Sequence, residues 1–311
     1  MRVFYGLDQF QGVEKPVFTT GTFDGVHVGH RKIIAQLNEI ANSIGGESVL
    51  FTFYPHPRMV IFPEQNDLKL LLTQDEKIKK LQEAGLQNLI IHPFTKEFSK
   101  LTAFEYTRDI LVNTIHVDTV VVGYDHRFGK NREGDFDLLS EHAEIFDFNI
   151  QEIQAIDIES INVSSTKIRQ ALEDGDIDKA NTYLTSPFIL GGRVVHGKKL
   201  GTKLQFPTAN LEINDVHKIL PKNGVYIISG RINDGKELQG MMNIGVRPTV
   251  GSNLKRSVEV HFFGINEELY GEYVEVSLLA RLRDEKKFNG IDELKTQLSA
   301  DKEAALLFFE K

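Results

Sequence analysis

In the stretch from Thr19 to Ile34, "TTGTFDGVHVGHRKII", His27 and His30 are separated only by Val28 and Gly29. An imidazole pair at this spacing can ligate a metal, sit in a structural turn, or donate hydrogen bonds to an anion. Gly21, Gly25 and Gly29 let the chain turn tightly and approach a ligand without a Cβ in the way. The segment runs from a strand, "PVFTT", into a helix near His30, so unpaired N–H groups and the positive end of that helix face the same place. In an open α/β sheet, that crevice beyond a strand's carboxyl end is where ligands usually bind. Two imidazoles there would grip a nucleotide's phosphates and stabilise charge building on phosphorus during an in-line displacement. A metal centre would need a third ligand, and none stands at a diagnostic spacing. The residues therefore favour a phosphate clamp, with a metal pair and two structural histidines as the alternatives.

Three further segments carry candidate chemistry. In "NVSSTKIRQAL", Ser164, Ser165 and Thr166 precede a helical run with Arg169 in its first turns. That combination makes a second anion site, although alone it also reads as an ordinary N-cap with a solvated arginine. In "HGKKLGTKLQFPTANL", Gly197 and Gly201 lie among Lys198, Lys199 and Lys203, as in a basic loop able to wrap phosphates or a solvated hairpin. Directly after it, Thr208 and Asn210 share one side of an extended segment and offer oxygen donors suited to magnesium on ATP. In "VEVHFFG", Glu259 and His261 share one strand face and Val258 and Val260 the other. A carboxylate so placed is a candidate general base for a hydroxyl nucleophile, unless that face simply meets solvent.

The elements that must position these residues fall into two textures. Up to about residue 160, short β-branched runs such as "SVLFTFY", "NLIIHPF" and "DTVVVGY" alternate with helical segments beginning near His30, Thr73 and Thr102. Thr73 with Glu76 and Thr102 with Glu105 have capping-box spacing. This alternation predicts βαβ units and a parallel sheet covered on both faces. From about residue 186 the runs "FILGGRVVHG", "GVYIISGRIN", "LQGMMNIGV", "SVEVHFFG" and "YVEVSLLARL" predict antiparallel strands of a small barrel or sandwich. One helix from Ile291 closes that half, and the break falls near Tyr183 to Pro187.

Composition narrows the classes. With 41% hydrophobic and 26% charged residues among 311, a packed core is expected and two domains fit the length. The absence of cysteine excludes disulfides, thiolate nucleophiles and cysteine-based metal sites. A net charge of -8 argues against a duplex nucleic-acid partner. No apolar run is long enough for a membrane span and the N-terminus does not read as a signal peptide, so a cytoplasmic protein is expected.

"GTFDGVHVGH" resembles the HxGH signature of the nucleotidyltransferase superfamily, and "VSSTKIR" resembles the second phosphate motif of its flavin-handling branch. "TFYPHP" and "VGYDHRFGKNREGD" narrow the resemblance to the flavin mononucleotide (FMN) adenylyltransferase module of bacterial bifunctional riboflavin kinase/FAD synthetases. "GKKLGTKLQFPTANL", "NIGVRPTV", "VEVHFFG" and "LYGEYVEVSLLARLRDEKKF" resemble, in order, the riboflavin kinase module of the same family.

The resemblance implies a Rossmann-like adenylyltransferase domain over residues 1–185 and a β-barrel kinase domain with a terminal helix over 186–311. It places ATP against Gly21, Phe23, Asp24, Gly29, His27 and His30, with His30 near the α-phosphate. It gives the triphosphate to Ser164, Ser165, Thr166 and Arg169, and the flavin side to Phe53, Pro57, Asp125 and Phe128. In the kinase half it implies Gly197 and Lys203 on ATP, Thr208 and Asn210 on magnesium and ATP, Glu259 as base for the ribityl 5′-hydroxyl, and Arg283 shaping the flavin pocket. Riboflavin, FMN and ATP are the implied substrates and FAD a product, with no nucleic-acid or membrane partner and a monomer or weak oligomer. The alternatives are an adenylyltransferase whose kinase-like half is weak or regulatory, and a flavin carrier without turnover. Four departures bear on the kinase half: Gln205 stands where the family usually has Gly, Leu200 where a basic residue is common, Val250 for Phe, and Gly264 for an acidic residue.

Overall fold

The computed structural model describes residues 1–65, 67–123, 126–153, 163–196, 206–233, 235–247, 255–265 and 268–310. The chain forms two compact units, Met1–Ser165 and Thr166–Lys311.

The first unit is built on a six-stranded sheet in the order β1-β4-β3-β2-β5-β6. Its strands are β1 Arg2–Phe4, β2 Pro16–Thr20, β3 Glu47–Tyr54, β4 Asn88–Pro93, β5 Thr119–Gly123 and β6 Asn149–Ile153. Every pairing is parallel. The central strands carry unbroken apolar runs because both faces are covered: Val17, Phe18, Val49, Leu50, Phe51, Leu89 and Ile90 are all fully buried. The longest covering helix is α1, Val28–Ile44. After the short α2, Pro57–Ile61, comes α3, Gln74–Glu83. The expected capping boxes form at Thr73 with Glu76 and at Thr102 with Glu105.

Two features of this unit depart from the reading of the sequence. The helix from Thr102 makes one α turn, α4 Ala103–Glu105, and then widens into a π-helix over Tyr106–Ile115. Within it the Thr114 hydroxyl donates to the Asp109 carbonyl at 2.6 Å, an i−5 bond that fits the wider turn. Strands β1 and β6 and helix α5, Phe136–Phe146, also complete the unit without having been marked by periodicity.

The second unit begins with helices α6, Ser165–Asp174, and α7, Ile177–Leu184. Both are tied to the strands that follow. Lys222 N–H donates to the Leu172 carbonyl, and the Asn181 amide both donates to Leu278 O and accepts from Phe188 N–H, each near 2.8–2.9 Å. The packing thus changes partners at Ser165/Thr166, ahead of the Ser-Pro break near residue 186.

Strands β7 Phe188–Val195, β8 Ala209–Glu212, β9 Gly224–Ile232, β10 Leu238–Arg247, β11 Lys255–Phe262 and β12 Tyr273–Arg283 close into a barrel. Its order is β10-β11-β8-β7-β12-β9, with every described pairing antiparallel. Register shifts in β12 between Leu278 and Ala280 and between Arg281 and Arg283 bend that strand, as closure requires. Close strand approach explains Gly240, where a Cβ would lie 2.5 Å from the His261 carbonyl oxygen. Gly264 has φ +75°, the left-handed region that glycine favours, so the turn after β11 accounts for that departure. The terminal helix α8 spans Ile291–Phe309.

Candidate active sites

The first site forms where β2 hands the chain to α1. Phe23, His30 and His27 make a continuous stack, with ring centroids 4.5 Å apart for Phe23–His30 and 3.7 Å for His27–His30. The connecting loop holds Phe23 at φ 48° and Val26 at φ 42°, both strained for side chains of their size, beside Gly25 at φ 93°. A Cβ on Gly21 would come within 3.0 Å of the Phe23 ring, so glycine there lets the stack form. His27 is the N-cap of α1 with no side-chain capping bond, which leaves its ring to the crevice and the first-turn N–H groups of Val28, Gly29 and His30 without helix carbonyls.

Both imidazoles are held neutral. Burial lowers the pKa of His27 to about 4, partly opposed by the Asp24 charge. Burial pushes His30 down as well, reinforced by His27 and by the Lys77 ammonium. The Nδ1 atoms of both rings are buried without a hydrogen-bond partner. Neutral rings with unspent polar atoms at a helix N-terminus form a receptor for an oxyanion, whose charge would return their pKa values upward.

The same shift makes a prediction. Between the folded pKa of about 4 and the ordinary 6.5 of His27, the unfolded chain binds more protons, so stability is full above pH 6.5 and falls as pH drops through this window. His27, only 6% exposed, should cost on the order of 3 kcal/mol by pH 4, with His30 acting in the same direction. Urea midpoints measured from pH 7 downward should show this loss, and His27→Gln should reduce it.

Asp24 braces this loop. Its carboxylate accepts from Leu71 N–H at 3.0 Å and Leu72 N–H at 3.2 Å, and its carbonyl accepts from the Ser165 hydroxyl at 2.8 Å. Ser165 therefore touches the loop that carries the histidines, with Ser164 directly before it in the chain. Thr166 and Arg169 follow in the opening turns of α6.

Phe53, one of the residues expected to meet the flavin, packs edge-on against Phe51 at 5.0 Å and Phe94 at 5.2 Å. Pro57 opens α2, where the His56 ring accepts from Arg58 N–H. Phe128 is buried against Tyr106 and pairs its backbone with Gly134. Asp125 lies outside the described residues.

The second site is a cavity of about 280 Å³ at the barrel. Thr208, Asn243, Glu259, His261 and Arg283 line its polar part, and Met241, Phe288, Leu294 and Leu298 much of its apolar part. In the strand register Glu259 stands opposite Asn210 on one neighbour and Asn243 on the other, so a carboxylate is flanked by two amide-bearing positions. The β8 ladder starts only at Ala209, and His261 Nδ1 extends the tether by donating to the Pro207 carbonyl at 2.7 Å. This bond fixes the "PTAN" segment against the "EVH" of β11. Gly197, Lys203 and the departures Leu200, Gln205 and Val250 lie outside the described residues.

Arg283 reaches this cavity as a latch. Its guanidinium forks onto Asp301 of α8 at 2.9 and 2.7 Å, and Gln297 donates to the same carboxylate at 2.9 Å. Leu294 and Leu298 of that helix form cavity wall, so the fork holds part of the wall in place. Asp301→Asn, at a position only 4% exposed, should leave Arg283 partly buried and unpaired and destabilise the C-terminal unit by about 3–5 kcal/mol. Thermal unfolding followed by circular dichroism would register the loss. Sequence reasoning missed Asn243, although it lies in the quoted "NIGVRPTV", and Asp301 at this cavity, and Lys77 at the first site.

The first unit sets neutral imidazoles at a helix N-terminus and the second a carboxylate beside oxygen donors, and the chain is a two-module transferase. Residues 10–167 match the family model for FAD synthetase, and residues 184–309 that for riboflavin kinase. The bifunctional riboflavin kinase/FMN adenylyltransferase of Listeria monocytogenes is 35% identical over 98% of this chain and 95% of its own length. The Escherichia coli K12 protein of the same description is 36% identical over 94% and 92%. A crystal structure described as a macrolide-efflux protein from Streptococcus pneumoniae shares the fold, with 30% identity and a TM-score of 0.87 over 97% of each chain. Efflux belongs to that protein's description; among the described residues here, no helix is long and apolar enough to cross a membrane. The chain belongs to the bifunctional riboflavin kinase/FMN adenylyltransferase family.

Proposed function

We infer that this chain makes both flavin cofactors, phosphorylating riboflavin with ATP to give FMN and then transferring AMP from a second ATP to FMN, which yields FAD and pyrophosphate. The observation that carries this reading is the presence, in one chain, of both family matches, each holding its own phosphate-handling constellation. We assign adenylyl transfer to residues 1–185 and phosphorylation to residues 186–311.

In the first reaction Glu259 takes the proton of the ribityl 5′-hydroxyl as that oxygen attacks the γ-phosphorus of ATP, whose bond to the β–γ bridging oxygen breaks so that ADP leaves. Thr208 and Asn210 supply neutral oxygen donors beside Glu259, a set that suits magnesium, and these residues would hold it. Bound there, the ion would neutralise charge on the ATP oxygens. Gly197 and Lys203 cover the phosphates, and the helix held by Arg283 presses the apolar wall against the flavin.

In the second reaction a phosphate oxygen of FMN attacks the α-phosphorus of ATP and pyrophosphate leaves, with no covalent enzyme intermediate. His30 donates to the α-phosphate and His27 to its neighbour, while Gly21, Phe23, Asp24 and Gly29 keep the loop in shape. Ser164, Ser165, Thr166 and Arg169 hold the triphosphate, and Phe53, Pro57, Asp125 and Phe128 border the flavin. The protein works in the cytoplasm as a monomer or weak oligomer on small-molecule substrates.

The test is to incubate the pure chain with riboflavin, ATP and magnesium and to separate the flavins by chromatography. FMN followed by FAD is expected. Conversion of supplied FMN without conversion of riboflavin would leave an adenylyltransferase with a kinase-like appendage, which Gln205 beside "FPTAN" would favour. Flavin binding with neither conversion would leave a carrier.

A further inference from the structure

We propose that Lys77 is a positioning residue for adenylyl transfer, a buried cation that fixes the floor of the phosphate crevice and supplies it with positive charge. This rests on the reading of the first unit as the adenylyltransferase. Lys77 lies on α3 and is only 7% exposed. Its ammonium donates to the Thr52 hydroxyl at 3.3 Å and to the Thr22 carbonyl at 3.5 Å, and the Thr52 hydroxyl donates to that same carbonyl at 3.3 Å. Thr52 is in β3, near its carboxyl end, and Thr22 lies between Gly21 and the Phe23 whose ring stacks on His30. One side chain thus joins a core strand to the histidine loop.

Burying an ammonium is costly unless something in the site uses the charge. The oxygens that Lys77 bonds are neutral, and its charge is met by the one carboxylate of Asp24, which also serves two backbone N–H groups. The charged and titratable groups around it come from three elements. Asp24 of the loop attracts the ammonium while its carboxylate accepts from two backbone N–H groups. His30, at the start of α1, feels the ammonium and is pushed further toward neutrality, with His27 stacked upon it. Glu76, beside Lys77 on α3, is engaged in the Thr73 capping box. A cation in a low-dielectric setting, facing two neutral imidazoles and a helix N-terminus, creates a potential suited to a polyphosphate. A bound triphosphate would add its negative charge to that of Asp24 beside the ammonium.

Burial lowers the pKa of Lys77 to about 8, so its charge is present at neutral pH and is lost as pH rises through that value. The histidines titrate far below this window, which separates their contribution from that of Lys77. The experiment measures kcat/KM for ATP in the conversion of FMN to FAD between about pH 7 and about pH 9.5 for the wild-type chain, Lys77→Met and Lys77→Arg. Phosphorylation of riboflavin by the same samples reports that the second unit is folded, and their thermal unfolding by circular dichroism reports on the first. The wild type should lose efficiency as pH passes about 8, whereas Lys77→Arg, charged throughout, should hold its value. Lys77→Met should be about 10- to 100-fold less efficient at neutral pH with phosphorylation retained. Wild-type efficiency in Lys77→Met, or a wild-type profile without a step near pH 8, overturns the proposal. The absence of any FAD from the wild type would instead overturn the adenylyltransferase reading on which it rests.

Discussion

Glu259→Gln should reduce riboflavin phosphorylation by about 10²- to 10⁴-fold while leaving the conversion of supplied FMN to FAD untouched. Glutamine keeps the volume of the side chain and its place opposite Asn210 and Asn243, so the strand register that shapes the cavity should survive. What it cannot do is accept the hydroxyl proton. Because kinase and adenylyltransferase steps are assigned to different units, the second activity serves as an internal check on the amount of active chain, and thermal unfolding by circular dichroism checks that the barrel is folded. Chromatography of the flavins from riboflavin and from FMN, side by side, reads both. Near-normal phosphorylation by the variant would remove Glu259 from the base role and return it to a packing role on β11.

The complementary experiment is His30→Ala. It removes the middle ring of the Phe23–His30–His27 stack and the group placed nearest the α-phosphate, so FAD formation should fall by about 10²- to 10³-fold or more. Riboflavin phosphorylation should continue, and FMN should accumulate where the parent chain carries it on to FAD. A second variant, His30→Asn, keeps a donor without the ring and should recover part of the activity. If His30→Ala formed FAD at the parent rate, the phosphate clamp would be wrong and the stack would be structural.

These two residues were legible in the sequence for a local reason. His27 and His30 lie within four consecutive positions at a strand-to-helix junction, so neither burial nor long-range pairing was needed to see that they converge. The parallel sheet was equally legible, because strands buried on both faces must be apolar along their whole length. Strand β6, "NIQEI", escaped because it is a largely exposed edge whose polar residues break that pattern. The π-helix escaped because apolar spacing near four residues does not separate it from an α-helix; the i−5 bond of Thr114 does. Lys77 was invisible for a different reason. It sits in "DEKIKKL", a charge pattern that normally marks a solvated helix face, and only the tertiary fold turns that one lysine inward. Asp301 is similar: its partner Arg283 lies in the final residues of β12, and nothing in the spacing links them.

The fork between Arg283 and Asp301 has a bearing on how a ligand comes and goes. A closed barrel has no free edge, so opening it would mean breaking ladder hydrogen bonds in several strands at once. The wall formed by Leu294 and Leu298 belongs instead to a helix outside those ladders, fastened by one charged clasp and by side-chain contacts. Detaching it disrupts no strand pairing. If the cavity takes the flavin as proposed, a ligand can enter and leave by displacement of this one helix, with the strands that carry Glu259 and its neighbours still paired.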